Sequence, residues 1–260
     1  MSDIAASNLR AHLGAGAPVE LFWFAIGAPA LVEIATAAGA QAIMLDAQHG
    51  NWTRDTLEAV ASQVDGVAPL MVRTADLSPV SVANALDAGA IGVLGPLVET
   101  AEEAAAFVEA ARFPPHGRRS GGGVKPLKAD FARYYADACE QTVVGVMIET
   151  ATGVENAAEI AATPGLDFIF IGTGDLALSM GEFPVPGPAY EEALIKVRDI
   201  SVAAGLPCGL FTGTVTDARK RIAEGFPITV AANDIGVLAQ GFGAAAPQIT
   251  TRTEDAKKAG

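Results

Sequence analysis

Eight short, continuously apolar runs recur along the chain, and helix-like segments separate them. Runs of this kind are typical of strands in a parallel sheet that helices cover on the outside. The pattern therefore predicts alternating strands and helices. We expect strands near Val19–Ile26, Ala40–Asp46, Ala68–Arg73, Ile91–Gly95, Val143–Glu149, Phe168–Gly172, Pro207–Phe211 and Ile228–Ala231. We expect helices near Pro29–Ala38, Arg54–Gln63, Pro79–Ala88, Ala101–Ala111, Gly153–Ala162, Tyr190–Ala204 and Asp217–Glu224.

A glycine stands between the end of a predicted helix and the next strand at four places, Gly39, Gly89, Gly205 and Gly225. Glycine readily takes the left-handed conformation that ends a helix. Together with the count of eight strands in 260 residues, this pattern predicts a (β/α)8 TIM barrel. A doubly wound sheet is the alternative, because it shows the same alternation of elements.

No linker or shift in composition divides the chain, so we expect a single domain over residues 1–260 with a polar tail from about Thr250. The segment Phe113–Pro126 is rich in glycine and proline, which predicts a long mobile loop.

The chain carries a formal net charge of −13, which argues against a nucleic-acid partner. A small anionic substrate remains compatible with this charge, because local arginines and helix N-termini bind anions. The two cysteines, Cys139 and Cys208, do not have metal-ligand spacing and indicate a reduced, cytoplasmic setting. The N-terminus lacks the apolar core of a signal peptide, and no apolar run is long enough to predict a membrane span.

Five polar residues lie at or just after the ends of predicted strands. In a (β/α)8 barrel the carboxyl ends of the strands converge on one rim, where the active sites of this fold are built. We therefore expect these distant residues to form one active site. They are Asp46, His49, Arg73, Glu149 and Asp175.

Glu149 and Asp175 follow consecutive predicted strands, so their carboxylates are expected to face a common centre. Two such oxygen ligands suit Mg²⁺ or Mn²⁺, with water and substrate completing the coordination shell. The alternative is that both are solvated acids, or that Asp175 merely favours the start of a helix.

His49 follows Asp46 by three residues, and a nearby carboxylate can orient an imidazole and strengthen it as a base. The alternative is a structural histidine in a loop. Neither of the other histidines, His12 and His116, lies at a predicted strand end.

Arg73 ends the third predicted strand, where a guanidinium could stabilise an oxyanion or enolate. The alternative is a structural salt bridge to Asp46, Glu149 or another acid of the rim. Trp23 falls in the first strand and either lines the pocket or belongs to the core.

The turn Gly172–Asp175 follows a strand and begins a helix, so its free N–H groups could bind a carboxylate or a phosphate. With Ala177 it also imitates the G-x-G-x-x-A dinucleotide fingerprint. That match is weak, because Asp175 would repel a pyrophosphate.

No lysine falls in a predicted strand, where an imine-forming amine could be desolvated. This favours a metal mechanism over a Schiff base. The lysines considered, all in predicted loops or helices, are Lys125, Lys128, Lys196 and Lys220.

Several of these residues belong to segments that resemble the HpcH/HpaI aldolase family of metal-dependent class II pyruvate aldolases. The resemblance extends from about Leu21 to about Leu238. The segments are Val32–Ala35, Leu45–Gly50, Leu86–Ala90, Arg112–Gly117, Met147–Thr150 and Phe170–Leu176.

The resemblance implies a role for each candidate residue. Glu149 and Asp175 match metal ligands for Mg²⁺, Mn²⁺ or Co²⁺, and the backbone around Gly174 and Asp175 matches the place that receives the keto-acid carboxylate. His49 matches the base, acting directly or through water, with Asp46 as its carboxylate partner. The remaining matches are Arg73, facing the ketone or enolate oxygen, and Trp23, a pocket aromatic.

The resemblance also implies a hexamer with active sites near subunit interfaces, so that the loop Pro115–Val124 would belong to a site completed by a neighbour. Three positions depart from the family pattern. Many members have Glu at the position of Gln48, Gly-Pro-x-Asp in place of Gly172–Asp175, and an Arg-Gly pair where Ser120 follows Arg119. None of these departures removes a proposed catalytic residue.

The expected function is therefore that of a divalent-metal-dependent aldolase, which joins the enolate of pyruvate or hydroxypyruvate to an aldehyde or cleaves the product. Phe211 and Thr212 follow the seventh strand and are candidates for the aldehyde pocket. Two alternatives remain: a metal-dependent lyase or decarboxylase acting on oxaloacetate or an acyl-CoA ester, and a non-catalytic protein that binds a keto acid.

Overall fold

The computed structural model describes residues 9–127 and 130–246. Its strands are β1 (Val19–Phe24), β2 (Ile43–Asp46), β3 (Leu70–Arg73), β4 (Gly92–Gly95), β5 (Val143–Ile148), β6 (Phe168–Ile171), β7 (Cys208–Leu210) and β8 (Ile228–Asn233). Its helices are α1 (Leu9–Gly14), α2 (Pro29–Ala37), α3 (Arg54–Gln63), α4 (Pro79–Ala88), α5 (Ala101–Ala111), α6 (Val124–Leu127), α7 (Phe131–Gln141), α8 (Ala151–Glu155), α9 (Ala157–Ala161), α10 (Thr173–Ser179), α11 (Pro188–Ala203), α12 (Val215–Ala223) and α13 (Asp234–Ala245).

The eight strands pair in sequence order, all of them parallel, and β8 pairs with β1 to close the barrel. The expected (β/α)8 barrel is confirmed. The doubly wound sheet is excluded because an open sheet has two unpaired edge strands, whereas every strand here has two neighbours.

The barrel interior is filled by side chains that alternate along the strands, and α1 closes its amino end. Leu9 and Leu13 of α1 are buried in the same cluster as Leu21, Met44 and Phe168. Interior space is tight: a Cβ at Gly145 would lie 2.2 Å from the ring of Phe168. Because the amino end is closed, the carboxyl rim is the open end of the barrel.

The second apolar layer lies between the strands and the surrounding helices. Helices α3 and α5 begin with capping boxes at Thr53 and Thr100, which satisfy the free N–H groups of the first turn. All four glycines predicted to end helices have positive φ, at Gly39 (100°), Gly89 (112°), Gly205 (78°) and Gly225 (90°).

The structure differs from the predicted helices in two respects. Four helices were not predicted, α1, α6, α7 and α13, whereas the helix expected to begin at the turn Gly172–Asp175 is α10. The predicted helix Gly153–Ala162 is divided into α8 and α9 at Asn156, whose side-chain amide donates to the carbonyl of Glu99.

The expectation of a mobile loop at Phe113–Pro126 is wrong for its buried part. Phe113 and Arg119 are both buried, Arg119 pairs with Asp87, and the Arg119 guanidinium lies 4.6 Å from the centre of the Phe113 ring. These contacts fix the segment against α4.

The predicted polar tail from Thr250 lies outside the described residues. None of the helices in the described part of the chain is long and apolar enough to cross a membrane.

Candidate active site

The strand register brings the predicted site residues to one rim. Asp46 is the partner of Arg73 across β2 and β3, and Ile148 pairs with Ile171, so that Glu149 and Gly172 follow side by side. A cavity of about 290 Å³ opens at this rim. It is lined by Trp23, Ala25, Asp46, His49, Arg73, Met147, Glu149, Gly172, Thr173, Gly174, Asp175, Phe211, Asn233, Asp234 and Ile235.

Asp46 and Arg73 form a buried ion pair at the base of the cavity. Nε and Nη2 of Arg73 donate to the two carboxylate oxygens of Asp46, the first at 2.9 Å. Burial alone would raise the pKa of Asp46, but the hydrogen bonds and charge of Arg73 outweigh burial and hold this pKa below its ordinary value. The Asp46 side chain is therefore a carboxylate at neutral pH.

The position of His49 corrects one expectation. Oδ1 of Asp46 accepts the backbone N–H of His49 at 3.1 Å, and no hydrogen bond joins that carboxylate to the imidazole in the described part of the chain. The oxygens of Asp46 are already occupied by Arg73, Trp23 and backbone N–H groups. Asp46 therefore fixes the loop that carries His49, and the exposed imidazole faces the cavity without a side-chain partner among the described residues.

Arg73 retains one nitrogen for a ligand. Its Nη1 has a single partner among the described residues, Sδ of Met147 at 3.9 Å, and a thioether is a weak acceptor. The guanidinium also lies 5.1 Å from the centre of the Trp23 ring. Held on one side by Asp46 and flanked by Trp23, Arg73 presents Nη1 to the cavity in a fixed orientation.

Glu149 is the most deeply buried acid of the site, with 1% of its surface exposed. Its Oε1 accepts the N–H of Leu97 at 2.8 Å, whereas Oε2 is buried and has no hydrogen-bond partner within the part of the chain that the structure describes. Burial raises the pKa of Glu149 above its ordinary value, because the ionised form loses its hydration. The charge of Asp175 adds to this rise, and the N–H of Leu97 opposes it more weakly than burial raises it.

Glu149 and Asp175 fit a divalent cation. An unpartnered buried carboxylate oxygen costs free energy unless a ligand binds it, and Oε2 of Glu149 is such an atom. A Cβ at Gly172 would lie 1.9 Å from this oxygen, so the absence of a side chain there leaves room for the carboxylate. No group of three or more His, Cys, Asp or Glu arranged to hold a metal occurs among residues 9–127 and 130–246. Two carboxylates completed by water and substrate are typical of Mg²⁺ sites.

Two aromatic rings, Trp23 and Phe211, line the cavity beside β1 and β7, and the buried ring of Phe170 supports Trp23 from the barrel interior. Trp23 stacks on Phe170, with ring centres 5.9 Å apart, and meets Phe211 edge-on at 5.4 Å. Trp23 is buried, and it also lines the cavity. It therefore belongs to the core and to the pocket wall, the two alternatives considered for this residue.

Thr212 does not take the expected position in the pocket. Its buried hydroxyl donates to the carbonyl of Val230 and accepts the N–H of Val230 at 3.0 Å. It is not among the residues that line the cavity. The hydroxyl instead joins the end of β7 to β8, because both of its hydrogen-bonding functions are used there.

Several cavity residues were not predicted from the sequence, and two of them are polar, Asn233 and Asp234 at the end of β8. The Asp234 carboxylate accepts the backbone N–H groups of Ala25 (3.0 Å) and Ile26 (2.8 Å), which lie beyond β1. Both residues directly follow an apolar run that predicts a strand, as the other acids of the site do, so the same criterion could have identified them from the sequence.

A larger cleft of about 740 Å³ lies at the other end of the barrel, between α3, α4, α6 and α7. Its carboxylates, such as Glu58, are distributed among α3, the segment after it and α7. The smaller cavity is the candidate active site because it contains the fixed guanidinium, the unpartnered carboxylate oxygen and the histidine together.

Residues 20–240 match the family model described as HpcH/HpaI aldolase/citrate lyase. The chain belongs to this family. It is 35% identical to a 4-hydroxy-2-oxovalerate aldolase from Novosphingobium aromaticivorans, with 79% of this chain and 80% of the relative covered. It is 34% identical to a hydroxypyruvate/pyruvate aldolase from Rhizorhabdus wittichii, with 89% and 94% covered.

A crystal structure of an HpcH/HpaI aldolase/citrate lyase family protein from Burkholderia cenocepacia superposes with a TM-score of 0.86 at 31% identity, covering 92% of this chain and 97% of the other. The relatives support an aldolase function, and in general terms a lyase.

Proposed function

We propose that this chain is a divalent-cation-dependent aldolase that forms or cleaves the bond between C3 of a 2-keto acid and the carbonyl carbon of an aldehyde. The observation that carries the proposal is the buried, unpartnered Oε2 of Glu149 in the same cavity as Asp175, Arg73 and His49. Glu149 and Asp175 would hold Mg²⁺ or Mn²⁺, or alternatively Co²⁺. When bound, the cation supplies Lewis acidity that makes the C3 proton of the keto acid removable.

The chain's own residues perform the other tasks. Nη1 of Arg73 donates to the ketone oxygen and stabilises the negative charge that develops there as the enolate forms. Asp46 fixes the guanidinium, so little reorganisation is needed when that charge appears. The turn at Gly174 and Asp175, on the cavity wall, offers backbone N–H groups for the keto-acid carboxylate.

His49 serves as the base in both directions. In synthesis its imidazole takes a proton from C3, and the resulting enolate attacks the aldehyde carbon. The aldehyde oxygen then takes that proton from the imidazolium and becomes the C4 hydroxyl group. In cleavage the imidazole takes the proton of the C4 hydroxyl group, the C3–C4 bond breaks, the aldehyde leaves and C3 of the enolate regains a proton. Exposure of His49 at the rim gives it access to water for returning the proton.

Deuterium exchange at the methyl group of pyruvate tests this proposal without knowledge of the aldehyde. The protein is stripped of metal and followed by NMR in D₂O, before and after addition of Mg²⁺ or Mn²⁺. We expect exchange only with added cation, and its loss in Glu149→Gln and Asp175→Asn. Full exchange in both variants would remove the cation assignment, while no exchange by the wild type with pyruvate or hydroxypyruvate would remove the aldolase proposal.

The remaining proposals rest on the family resemblance. They are a homo-hexamer and completion of the site by the loop Pro115–Val124 of a neighbour. The proposal of a cytoplasmic location rests instead on the two cysteines, Cys139 and Cys208, which are both free. Within one chain none of the loop residues lines the cavity, so any contribution to a site would be made to another subunit.

A further inference from the structure

We propose that Leu97 is a positioning residue of the cation site. Its backbone N–H holds one carboxylate oxygen of Glu149, so that only the other oxygen is available to the cation, and such a site selects Mg²⁺ or Mn²⁺ against Ca²⁺. This inference rests on the proposed aldolase function and adds the residue that determines how the cation is bound.

The two carboxylate oxygens of Glu149 face opposite neighbours in the barrel. Glu149 follows β5, which pairs with β4 on one side and with β6 on the other. Oε1 accepts the N–H of Leu97, which follows β4, at 2.8 Å. Oε2 lies on the side of Gly172, which follows β6, because a Cβ there would stand 1.9 Å from this oxygen. Asp175 lies in the first turn of α10, directly after β6, so a cation shared by the two acids would meet Oε2.

Leu97 has an unusual backbone conformation for a residue with a side chain. Its φ is 53°, and among the described residues it is the only one other than glycine with a positive φ. This left-handed conformation is unfavourable for leucine, because its Cβ crowds the backbone. The residue is 46% exposed, so burial in the core does not account for the conformation. What the conformation provides is the N–H that binds Glu149.

Neighbouring contacts hold the segment after β4 in place. Val98, which is buried, donates its N–H to the carbonyl of Met147 at 3.1 Å. The Glu99 carboxylate accepts the hydroxyl of Thr150 at 2.7 Å. These two contacts reach residues on both sides of Glu149 in the sequence. The segment and the carboxylate are therefore fixed relative to each other, which is the condition under which an unfavourable backbone conformation persists.

Coordination by a single carboxylate oxygen favours a small cation. Mg²⁺ demands an octahedral ligand set and is usually bound through one or two carboxylates, with waters in the other positions. Mn²⁺ also accepts octahedral oxygen ligands. Ca²⁺ takes a larger ligand set and often binds both oxygens of one carboxylate. A site in which Glu149 offers Oε2 alone therefore provides Ca²⁺ with too few protein ligands.

The test removes the N–H of Leu97 and keeps its side chain. Leucic acid, the hydroxy-acid counterpart of leucine, is incorporated at position 97 by nonsense suppression, so that an ester oxygen replaces the N–H. Metal-stripped protein is titrated with Mn²⁺, followed by electron paramagnetic resonance, with Ca²⁺ as the competitor. We expect the wild type to bind Mn²⁺ at least about tenfold more tightly than Ca²⁺, and the ester to lower this ratio at least about fivefold.

Matched variants isolate the hydrogen bond. Lactic acid in place of Ala132 removes a backbone N–H that binds the Asp130 carboxylate at 2.9 Å, outside the cavity, and should leave the ratio of affinities unchanged. Leu97→Gly keeps the N–H and tolerates a positive φ, so it should retain the selectivity. Leu97→Pro lacks the N–H and has a fixed negative φ, so it should lower the ratio as the ester does. If Leu97→Pro does not fold, as judged by urea denaturation, the ester decides.

The outcomes separate the two proposals. An unchanged ratio in the ester variant, or an equal loss of affinity for both cations, would overturn the role of Leu97 and leave the proposed aldolase standing. A wild type that binds Ca²⁺ as tightly as Mn²⁺ would have the same consequence. If the wild type neither binds Mn²⁺ nor exchanges the methyl protons of pyruvate, both proposals are removed.

Discussion

Gly172 and Glu149 approach so closely that a Cβ at position 172 would stand 1.9 Å from Oε2 of Glu149. Gly172→Ala must therefore displace the carboxylate that we assign to the cation. We expect the affinity for Mn²⁺, measured by calorimetry, to fall by at least about tenfold while the fold is retained. Gly213→Ala is the control, because a Cβ there meets nothing within 4 Å. Equal affinities in the two variants would remove Glu149 Oε2 from the cation site.

The pH dependence of cation binding follows from the raised pKa of Glu149. Below that pKa the carboxyl is protonated, and a cation must displace the proton to bind. We expect the dissociation constant for Mn²⁺ to fall as the pH rises through the raised pKa. Glu149→Gln should weaken binding and abolish this dependence, whereas Glu58→Gln, on the exposed side of α3, should preserve it. A wild-type affinity independent of pH would contradict the assignment.

Asp46→Asn is expected to destabilise the protein by about 3–5 kcal/mol, because it leaves the Arg73 guanidinium buried without its counter-charge. The wild-type pKa of Asp46 is lowered by folding, so its contribution to stability is present above the unfolded-state pKa and is lost as the pH falls through the folded-state pKa. Urea denaturation at pH 7 and in the acid range measures both effects.

The control for Asp46 is an ion pair on the surface. Arg54 and Glu58 pair within α3 with both side chains partly exposed, and Glu58→Gln should cost no more than about 1 kcal/mol. If Asp46→Asn and Glu58→Gln lowered the free energy of unfolding by the same amount, the buried ion pair would contribute no more to stability than an exposed one.

His49→Ala should slow pyruvate exchange by about 10²–10⁴-fold, the usual contribution of a general base, with unchanged affinity for Mn²⁺. Because His49 is exposed at the rim, added imidazole should restore part of the rate. His12→Gln is the control, since His12 contacts the carbonyl of Pro18, before the amino end of β1. Undiminished exchange in His49→Ala would assign the base to another group.

The barrel was predictable because each strand is a short apolar run and because four helix ends carry a glycine with positive φ. The helices that the sequence did not predict fall into two groups. Helix α7 has no buried residue, and the only buried residue of α13 is Asp234, so neither packs an apolar face into the core of this chain. Helix α1 does bury Leu9 and Leu13, but its six residues are too few to establish a helical period in the sequence.

The site was predictable as a set of residues and not as a set of contacts. Strand ends identify Asp46 and Arg73, but their pairing depends on the register between β2 and β3. Likewise, nothing near Thr212 in the sequence indicates that the Thr212 hydroxyl binds the backbone of Val230. The Asp234 carboxylate accepts backbone N–H groups that lie 208 and 209 residues away in the sequence. Such partners are set by closure of the barrel.

The neighbours Phe211 and Thr212 should respond in opposite ways to substitution. Thr212→Val leaves the N–H and carbonyl of Val230 without their buried partner, so we expect a loss of about 1–3 kcal/mol in stability and an unchanged KM for the aldehyde. Phe211→Leu changes the cavity wall beside Trp23 and should raise that KM with a smaller loss of stability. Denaturation curves and initial rates with butanal measure both quantities. The opposite result, a changed KM with Thr212→Val and an unchanged KM with Phe211→Leu, would contradict this assignment. It would mean that Thr212 contacts the aldehyde and that Phe211 does not.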